Sequence, residues 1–305
     1  MSNRVVVIGD ALIDELRDDS GVREFVGGAA LNVAVGLSRL GVPTTLIAMV
    51  GDDEAGAHIR AYLADYGVGL ISSPSSLGSS RAVSTRSAGG EPVYEFNAAA
   101  QARAIDFGAE IRSAIADADI VAVSCYPFDN VAQTRLLSEA LEGVSATLAI
   151  DPNPRSGMMA DRDEFVRGFE ALAARAALVK VGEDDSILLY GEPLDALRAR
   201  LVDVGVDAVL ATQGSSGATI EAGEIVVTRP ISDLPGRIVD TMGAGDAAFA
   251  AAVAALLDGW PADEDAWGAA LERAMDVAAA TCRFEGALLR LPEALADIDL
   301  DRIGT

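Results

Sequence analysis

The segment Asp240-Thr241-Met242-Gly243-Ala244-Gly245-Asp246 precedes an alanine-rich run, Ala247–Leu257, that has the composition of a buried helix. A Gly-Ala-Gly turn that opens a helix presents backbone N–H groups without helical acceptors, and the helix dipole adds positive potential there. The segment therefore predicts an anion site with a carboxylate beside it. The anion site would be formed by Gly243, Ala244 and Gly245, and the carboxylate belongs to Asp246.

This arrangement suits phosphoryl transfer, because the N–H groups can hold phosphoryl charge while Asp246 accepts a hydroxyl proton. Two other interpretations are open. The run Gly243–Ala248 fits the dinucleotide pattern G-x-G-x-x-A, but that pattern needs a following strand, and a second helical pattern, Ala269–Phe284, comes next. Asp246 could also serve only to stabilise the helix N-terminus. The chain has no G-x-x-x-x-G-K-[ST] sequence, which argues against a P-loop.

Before this segment, short apolar runs alternate with helical patterns. The predicted strands are Val5–Gly9, Thr45–Val50, Ile120–Ser124, Thr147–Asp151, Leu178–Val181 and Ala208–Thr212. The predicted helices are Ala30–Leu40, Glu54–Tyr66, Gly108–Ala116, Val131–Leu141, Arg162–Ala174 and Leu194–Val204. Continuous apolar strands are typical of a parallel sheet that is buried on both faces. The alternation predicts one doubly wound α/β domain over residues 1–305, with helices on both faces of a mostly parallel sheet.

Residues 70–97 interrupt this alternation. Serine-rich sequence leads into two strand-like runs on either side of Gly89-Gly90, which is the pattern of a β-hairpin. A small β insertion in an α/β domain can be an edge decoration or a lid over a ligand site. We expect a lid.

A second polar cluster lies near the start of the chain. Asp10 and Asp14 follow the first strand, and Gly27-Gly28 precedes a helix that contains Asn32. Ligands of doubly wound sheets bind beyond the carboxyl ends of the strands, where Asp10 and Asp14 are expected. Carboxylates and amides bind polyols, although these side chains could instead cap local turns.

Composition excludes several classes of function. The net charge of −24 opposes nucleic-acid binding. His58 is the only histidine, so a Ser-His-Asp triad and a His-rich zinc site are both disfavoured. Cys125 and Cys282 are expected to be buried thiols. Because no apolar run reaches membrane-spanning length and no signal peptide is evident, we expect a cytoplasmic protein without a membrane anchor.

Taken together, Gly27-Gly28-x-x-x-Asn32 and Asp240-Thr241-x-Gly243-Ala244-Gly245-Asp246 resemble the paired signatures of the ribokinase (PfkB) family of carbohydrate kinases. The resemblance covers essentially the whole chain and leans towards bacterial fructokinases. It implies a ribokinase-like fold and ATP-dependent phosphorylation of a sugar hydroxyl. Asp246 would be the catalytic base and Gly243–Gly245 the anion hole. The implied sugar-binding residues are Asp10, Asp14, Gly27, Gly28 and Asn32.

The resemblance also implies a nucleotide site. Asp151-Pro152-Asn153-Pro154-Arg155 resembles the segment whose Asn and Arg approach the phosphates, and the segment from Lys180 to Asp185 resembles the one that meets magnesium-bound water and nucleotide. Thr212-Gln213-Gly214-Ser215-Ser216-Gly217 resembles the adenine-nucleotide loop. Asp185 is the implied water-mediated magnesium contact, although many members have Asn-x-x-Glu where this chain has Gly182-Glu183-Asp184-Asp185. Asp240 is implied beside a potassium site. The implied nucleotide contacts are Asn153, Arg155, Lys180, Thr212, Gly214 and Gly217.

Fructose is the expected sugar, with ribose, 2-keto-3-deoxygluconate and a nucleoside as alternatives. A sugar that already carries phosphate would need further basic residues, for which Arg81 and Arg86 are the candidates. A non-catalytic sugar-binding relative is the alternative from another class, and the intact Asp246 and glycine turn argue against it. Strands of the lid are candidates for pairing between two subunits, because exposed strand edges seek partners.

Overall fold

The computed structural model describes residues 5–18, 21–85 and 93–296. The predicted Gly89-Gly90 turn and Arg86 lie outside the described residues. The described part of the chain alternates strands and helices for most of its length. The strands are β1 (Val5–Gly9), β2 (Leu12–Asp18), β3 (Gly21–Gly27), β4 (Thr44–Met49), β5 (Gly69–Ser73), β6 (Ser80–Thr85), β7 (Val93–Phe96), β8 (Ile120–Ser124), β9 (Thr147–Asp151), β10 (Leu178–Gly182), β11 (Ala208–Thr212), β12 (Ala218–Ala222) and β13 (Ile225–Arg229).

The helices connect these strands. They are α1 (Ala29–Arg39), α2 (Glu54–Asp65), α3 (Ala98–Gln101), α4 (Ala109–Ala116), α5 (Val131–Ala140), α6 (Arg162–Ala173), α7 (Glu183–Tyr190), α8 (Leu194–Val204), α9 (Ala244–Leu257) and α10 (Glu264–Thr281). Short 3-10 turns lie at Ser156–Met158, Gly214–Ser216 and Pro292–Leu295. Several helices begin with a side-chain cap, for example α2, whose Asp53 carboxylate accepts from Gly56 N–H.

Nine strands form the main sheet, in the order β13-β12-β11-β10-β9-β8-β1-β4-β5. The seven strands from β11 to β5 run parallel, whereas β12 and β13 are antiparallel additions at one edge. The strand order reverses at β1, which pairs with β4 on one side and β8 on the other. Loops diverge at such a point and leave a crevice at the carboxyl ends of the strands.

Both faces of the main sheet are buried, as β1 illustrates. Val5 and Val7 belong to the hydrophobic cluster that contains α1, α9 and α10, while Val6 and Ile8 belong to the cluster that contains α5 and α6. Since side chains alternate along a strand, a strand between two helix layers must be apolar throughout. The fold is therefore the predicted α/β architecture, with helices on both faces of a mostly parallel sheet.

A second sheet of four strands, in the order β3-β2-β6-β7, stands apart from the main sheet. It differs from the predicted insertion at 70–97 in two ways. β5 pairs with β4 in the main sheet, and β2 and β3 enter the small sheet from the start of the chain. Neither Leu12–Asp18 nor Gly21–Gly27 alternates apolar and polar residues regularly, so the sequence carried no clear strand signal here.

The predicted strands of the main sheet are all present, and four have the predicted bounds. The helix after the glycine turn begins at Ala244 rather than Ala247, so that Gly245 and Asp246 lie in its first turn. The following helix begins at Glu264 and ends at Thr281, which differs from the predicted Ala269–Phe284. Within the described ranges, no helix is both long enough and apolar enough to cross a membrane.

Candidate active site

The glycine turn before α9 has the backbone conformation that its sequence predicts. Gly243 has φ 75°, and a Cβ atom at this position would lie 2.5 Å from the carbonyl oxygen of Ala287. Only glycine tolerates both the left-handed conformation and this close approach. The tight turn places the N–H groups of Gly243, Ala244 and Gly245 at the start of the helix, although Ala244 N–H donates to Thr241 at 3.3 Å.

Asp246 is held in place by two amide side chains. It is 7% exposed. Its Oδ2 accepts a hydrogen bond from Asn32 Nδ2 at 2.8 Å, and its Oδ1 accepts one from Asn153 Nδ2 at 3.3 Å. Burial raises the pKa of Asp246, while the Asn32 hydrogen bond and the charges of Lys180 and Arg155 act in the opposite direction. The arrangement joins a buried carboxylate to both amino-terminal and central segments of the chain.

Asn32 reaches Asp246 because α1 begins under close constraint. Gly28 has φ 108°, and a Cβ atom there would lie 3.0 Å from both Ala11 Cα and the carbonyl oxygen of Asp10. The buried Asp10 carboxylate accepts from Ala30 N–H at 2.9 Å. Asp10 therefore acts as a cap for the first turn of α1, and burial raises its pKa.

Asp14 lies on β2 in the small sheet and not in a loop at the main sheet edge. A Cβ atom on Gly27 would collide with the Asp14 carboxylate, so the glycine leaves room for this side chain. Desolvation raises the pKa of Asp14 to about 6, and the charges of Asp10 and Asp246 add to the rise while Arg155 opposes it. The small sheet thus brings a carboxylate into electrostatic contact with the Asp246 region.

Lys180 is the only lysine in the chain, and it lies beneath the glycine turn. Its Nζ is 3.3 Å from Asp151 Oδ1 and 4.0 Å from Asp185 Oδ2. A Cβ atom on Gly245 would be 3.2 Å from the same ammonium. The three charged side chains are buried, and desolvation raises the pKa of Asp151 to about 7. A positive charge is therefore fixed next to the predicted anion hole.

Asp185 also has a structural role. Its Oδ2 accepts from Gly182 N–H at 2.7 Å, which closes the first turn of α7. Asp240 serves similarly, because its Oδ1 accepts from Met242 N–H at 3.0 Å and its Oδ2 from Gly286 N–H at 3.1 Å. These bonds hold the segment before the glycine turn against the segment after α10.

The predicted nucleotide loop lies one strand further along the sheet. Thr212 ends β11 and pairs in register with Gly182, and its Oγ1 donates to the Val181 carbonyl at 3.4 Å. Gly214 and Gly217 follow in a turn, with φ values of 52° and 97°. The turn is closed by its own backbone, since Gln213 N–H donates to the Gly217 carbonyl at 2.8 Å and Gly217 N–H to the Gly214 carbonyl at 3.2 Å.

Two residues of the cluster escaped the sequence prediction. Asp151 was assigned no role of its own in the strand end and the Asp151–Arg155 segment, yet its buried Oδ2 has no hydrogen-bond partner in the described part of the chain. Arg103 was assigned no role, and it is 7% exposed beside Asp10. A signal for Asp151 existed, because Lys180 lies within the apolar strand Leu178–Gly182, and a buried ammonium needs a counter-ion. No signal in the sequence pointed to Arg103.

Comparison with known proteins gives a consistent result. The family described as pfkB family carbohydrate kinase matches residues 2–294. An ATP-dependent 6-phosphofructokinase of Thermoanaerobacterium thermosaccharolyticum is 25% identical over 95% of this chain and 91% of its own length. A fructokinase of Rhizobium leguminosarum bv. trifolii is 29% identical over 83% of this chain and 79% of its own length. An aminoimidazole riboside kinase of Salmonella typhimurium is 31% identical over 80% of this chain and 78% of its own length.

Solved structures share the fold. The aminoimidazole riboside kinase of Salmonella enterica, complexed with aminoimidazole riboside and an ATP analog, superposes with a TM-score of 0.80 at 24% identity and covers 96% of this chain and 99% of its own. A ribokinase II of E. coli in complex with ATP and Mg²⁺ superposes with a TM-score of 0.78 at 21% identity, over 96% and 98%. The small sheet and the nine-stranded sheet together therefore belong to a ribokinase-like fold.

Proposed function

Because this chain belongs to the pfkB family of carbohydrate kinases, we propose that it transfers the γ-phosphoryl group of ATP to a hydroxyl of a small sugar, with fructose as the first candidate. The observation that carries the proposal is the convergence on Asp246. Its carboxylate stands beside the glycine turn and is held by Asn32 from the start of the chain and Asn153 from the middle. A buried carboxylate at the N-terminus of a helix suits proton removal during phosphoryl transfer.

In the proposed reaction, Asp246 accepts the proton of the sugar hydroxyl as that oxygen bonds to the γ-phosphorus. The bond between the γ-phosphorus and its bridging oxygen breaks, and the electron pair leaves with ADP. Burial favours the neutral form of Asp246, which strengthens it as a base. The N–H groups at Gly243–Gly245 and the ammonium of Lys180 stabilise charge on the transferred group.

The sugar site is proposed at Asp14, Asn32, Gly27 and Gly28. Asp10 would support this site by holding the first turn of α1 through Ala30 N–H. Asp14 projects from the small sheet and can accept bonds from two hydroxyls, while the Asn32 amide can both donate and accept. Asp14 is part of β2, so a movement of the small sheet would carry this sugar-binding carboxylate towards or away from Asp246. The small sheet would then act as a lid. A lid would exclude water and protect ATP from hydrolysis.

The nucleotide phosphates are proposed to lie against Asn153, Arg155 and Lys180, with Thr212, Gly214 and Gly217 along the nucleoside. Magnesium, when bound, would neutralise charge on the triphosphate. The chain fits such an ion, because Asp151 has an unpartnered buried oxygen in the described part of the chain and the Asp185 carboxylate lies 4.0 Å from Nζ of the same lysine. Mg²⁺ commonly uses one or two carboxylates together with phosphates and water.

No group of three or more His, Cys, Asp or Glu side chains among the described residues is arranged to hold a metal by itself. We propose that magnesium binds together with the nucleotide, whose phosphates would supply further oxygen ligands. For potassium we propose a position beside Asp240, whose two oxygens each accept only one of the described hydrogen bonds. We also propose a cytoplasmic location, where ATP is available, and a homodimer through the exposed strand β3.

The ion pairs of Arg81 favour a neutral sugar over a phosphorylated one. This arginine, which was a candidate for binding a second phosphate, donates to Glu24 at 2.6 Å and lies 3.8 Å from Glu15. Its charge is therefore offset. A riboside is the second candidate, because the aminoimidazole riboside kinase relative is 31% identical over 80% of this chain.

The test is ATP turnover with a panel of acceptors at one enzyme concentration. The panel contains fructose, ribose, 2-keto-3-deoxygluconate, a purine nucleoside, aminoimidazole riboside and fructose 6-phosphate. We expect the highest kcat/KM with fructose. A preference of tenfold or more for a riboside would replace fructose by the second candidate, and the absence of turnover with every acceptor would favour a non-catalytic sugar-binding protein.

A further inference from the structure

Arg103 is a buried cation with an incomplete set of partners. It follows α3, and its Nη1 donates to the backbone carbonyls of Ala100 at 3.1 Å and Met158 at 3.3 Å. Its buried Nε has no hydrogen-bond partner in residues 5–18, 21–85 and 93–296. None of the ion pairs among the described residues includes it. Two carbonyls could be satisfied by a neutral amide, so they do not account for a buried charge.

The guanidinium faces Asp10 across a small cavity. Both side chains line this space, together with Gly9, Ser80 and Tyr126, and it has room for about one water molecule. A water of this kind can accept from Arg103 Nε and donate to the Asp10 carboxylate, which is how polar groups beyond direct reach are commonly connected. The cavity therefore joins two buried opposite charges.

Asp10 needs such a counter-charge. It is 5% exposed, and burial of a carboxylate favours its neutral form. The charged and titratable groups around it are Arg103, Arg155, Cys125, Asp14 and Asp246. Of the two cations, Arg155 is exposed to solvent whereas Arg103 is buried, so solvent screens Arg103 far less.

The ionisation of Asp10 has a structural consequence at the catalytic centre. The carboxylate accepts from Ala30 N–H in the first turn of α1, and a charged acceptor binds this helix terminus more strongly than a neutral one. Asn32 lies in the same turn and donates to Asp246. The position of the start of α1 therefore sets the distance between the Asn32 amide and the Asp246 carboxylate.

We propose that Arg103 is a positioning residue, which acts as the buried counter-charge of Asp10 and thereby holds the start of α1, with Asn32, against Asp246. Its effect on activity rests on the proposed function, whereas its effect on the ionisation of Asp10 does not. Arg103 touches no reacting atom in this scheme. It acts through Asp10 alone.

Two substitutions separate charge from hydrogen bonding. Arg103→Gln keeps an amide that can donate to the backbone carbonyls but removes the charge, while Arg103→Lys keeps the charge. For Arg103→Gln we expect kcat/KM for the sugar to fall about tenfold at pH 6 and about twofold at pH 8.5, because loss of the charge raises the pKa of Asp10. Arg103→Lys should restore most of the activity at pH 6. The KM for ATP should stay within about twofold in both.

The stability of the protein without substrates gives an independent measurement. A carboxylate whose pKa is raised in the folded state binds more protons there, so stability falls as pH rises towards that pKa. In Arg103→Gln this fall should extend to higher pH than in the wild type, and Asp10→Asn should abolish the difference. Arg175→Gln is the matched control, because Arg175 also donates to a backbone carbonyl, that of Leu141, outside the site.

The inference is overturned if Arg103→Gln and Arg103→Lys lower activity and stability equally at every pH, since a purely structural strut would behave in that way. It is also overturned if the pH-dependent difference persists in the Asp10→Asn background. If the wild type phosphorylates no acceptor, the proposed function fails, and the stability measurements still decide the role of Arg103.

Discussion

Asn32 donates a 2.8 Å hydrogen bond to Asp246 across 214 positions of sequence. The bond ties the first turn of α1 to the first turn of α9, so the two helices present their N-termini to one space. Each helix start depends on a glycine, because a Cβ atom on Gly28 would crowd the backbone of Asp10 and Ala11, and one on Gly243 would crowd the backbone of Ala287.

Asp246→Asn tests the proposed base. The amide can still accept from Asn32, so the fold and ATP binding should be retained while kcat falls by about 10²–10⁴. Asp258→Asn, at the exposed carboxyl-terminal end of the same helix, is the matched control and should leave kcat unchanged. Steady-state kinetics with the best acceptor measures both. Near wild-type kcat in Asp246→Asn would remove the assignment.

Asp14 should control sugar binding with a pH dependence. Asp14→Ala should raise the sugar KM about 5- to 150-fold, since each unpaired hydroxyl costs ~1–3 kcal/mol, and change the ATP KM much less. In the wild type the sugar KM should rise as pH falls below about 6, because Asp14 becomes protonated. A sugar KM that is unaffected by the substitution would place the sugar elsewhere.

The same carboxyl group makes a prediction about stability. The pKa of Asp14 is raised from 3.8 to about 6 in the folded protein, so the folded state binds more protons than the unfolded state between these values. Stability should therefore fall in the wild type, relative to Asp14→Asn, as pH rises from about 4 to about 7. Denaturant titrations at several pH values measure this. Parallel pH profiles for the two proteins would contradict the raised pKa.

The small sheet is expected to close over the sugar. Hydrogen exchange should show that sugar protects the amides of β6 and β7, together with those of β2, while ATP alone protects them less. The amides of β12 and β13, at the far edge of the main sheet, serve as the internal control. Deletion of residues 86–92, which connect β6 and β7 in the sequence, should raise the sugar KM and increase ATP hydrolysis relative to sugar phosphorylation. Exchange that does not respond to sugar would identify the sheet as a fixed feature.

Lys180 should be needed for its compact charge. Lys180→Met leaves the buried Asp151 carboxylate without its ion-pair partner, and we expect a loss of about 3 kcal/mol in stability and at least about 10²-fold in kcat. Lys180→Arg should recover little, because the larger guanidinium has no room beneath the glycine turn. Even a Cβ atom on Gly245 would lie 3.2 Å from the Lys180 Nζ. Since the chain has one lysine, lysine-selective isotope labelling gives a single side-chain NMR signal that should shift on addition of ATP. Full activity in Lys180→Met would exclude the proposed role.

Much of the main fold could be predicted from local sequence. Side chains of an apolar run such as Ile120–Ser124 point to both faces of the sheet and are all buried only between two helix layers. The pattern therefore indicates a buried parallel sheet. The small sheet was harder to predict, because its strands come from two distant stretches and one of them, Gly21–Gly27, is largely exposed. Exposed strands lack the apolar pattern that local prediction uses.

By itself, the sequence determined the α/β layering, the glycine turn at Gly243 and the carboxylate that follows it, because backbone freedom and apolar periodicity are local properties. Only the tertiary structure decided which side chains meet. It placed Asn32 and Asn153 on Asp246, made Asp10 a helix cap, moved Asp14 onto the small sheet and enclosed Arg103 and Asp151. These contacts join residues far apart in the chain, and they depend on strand order and burial, which local sequence does not encode.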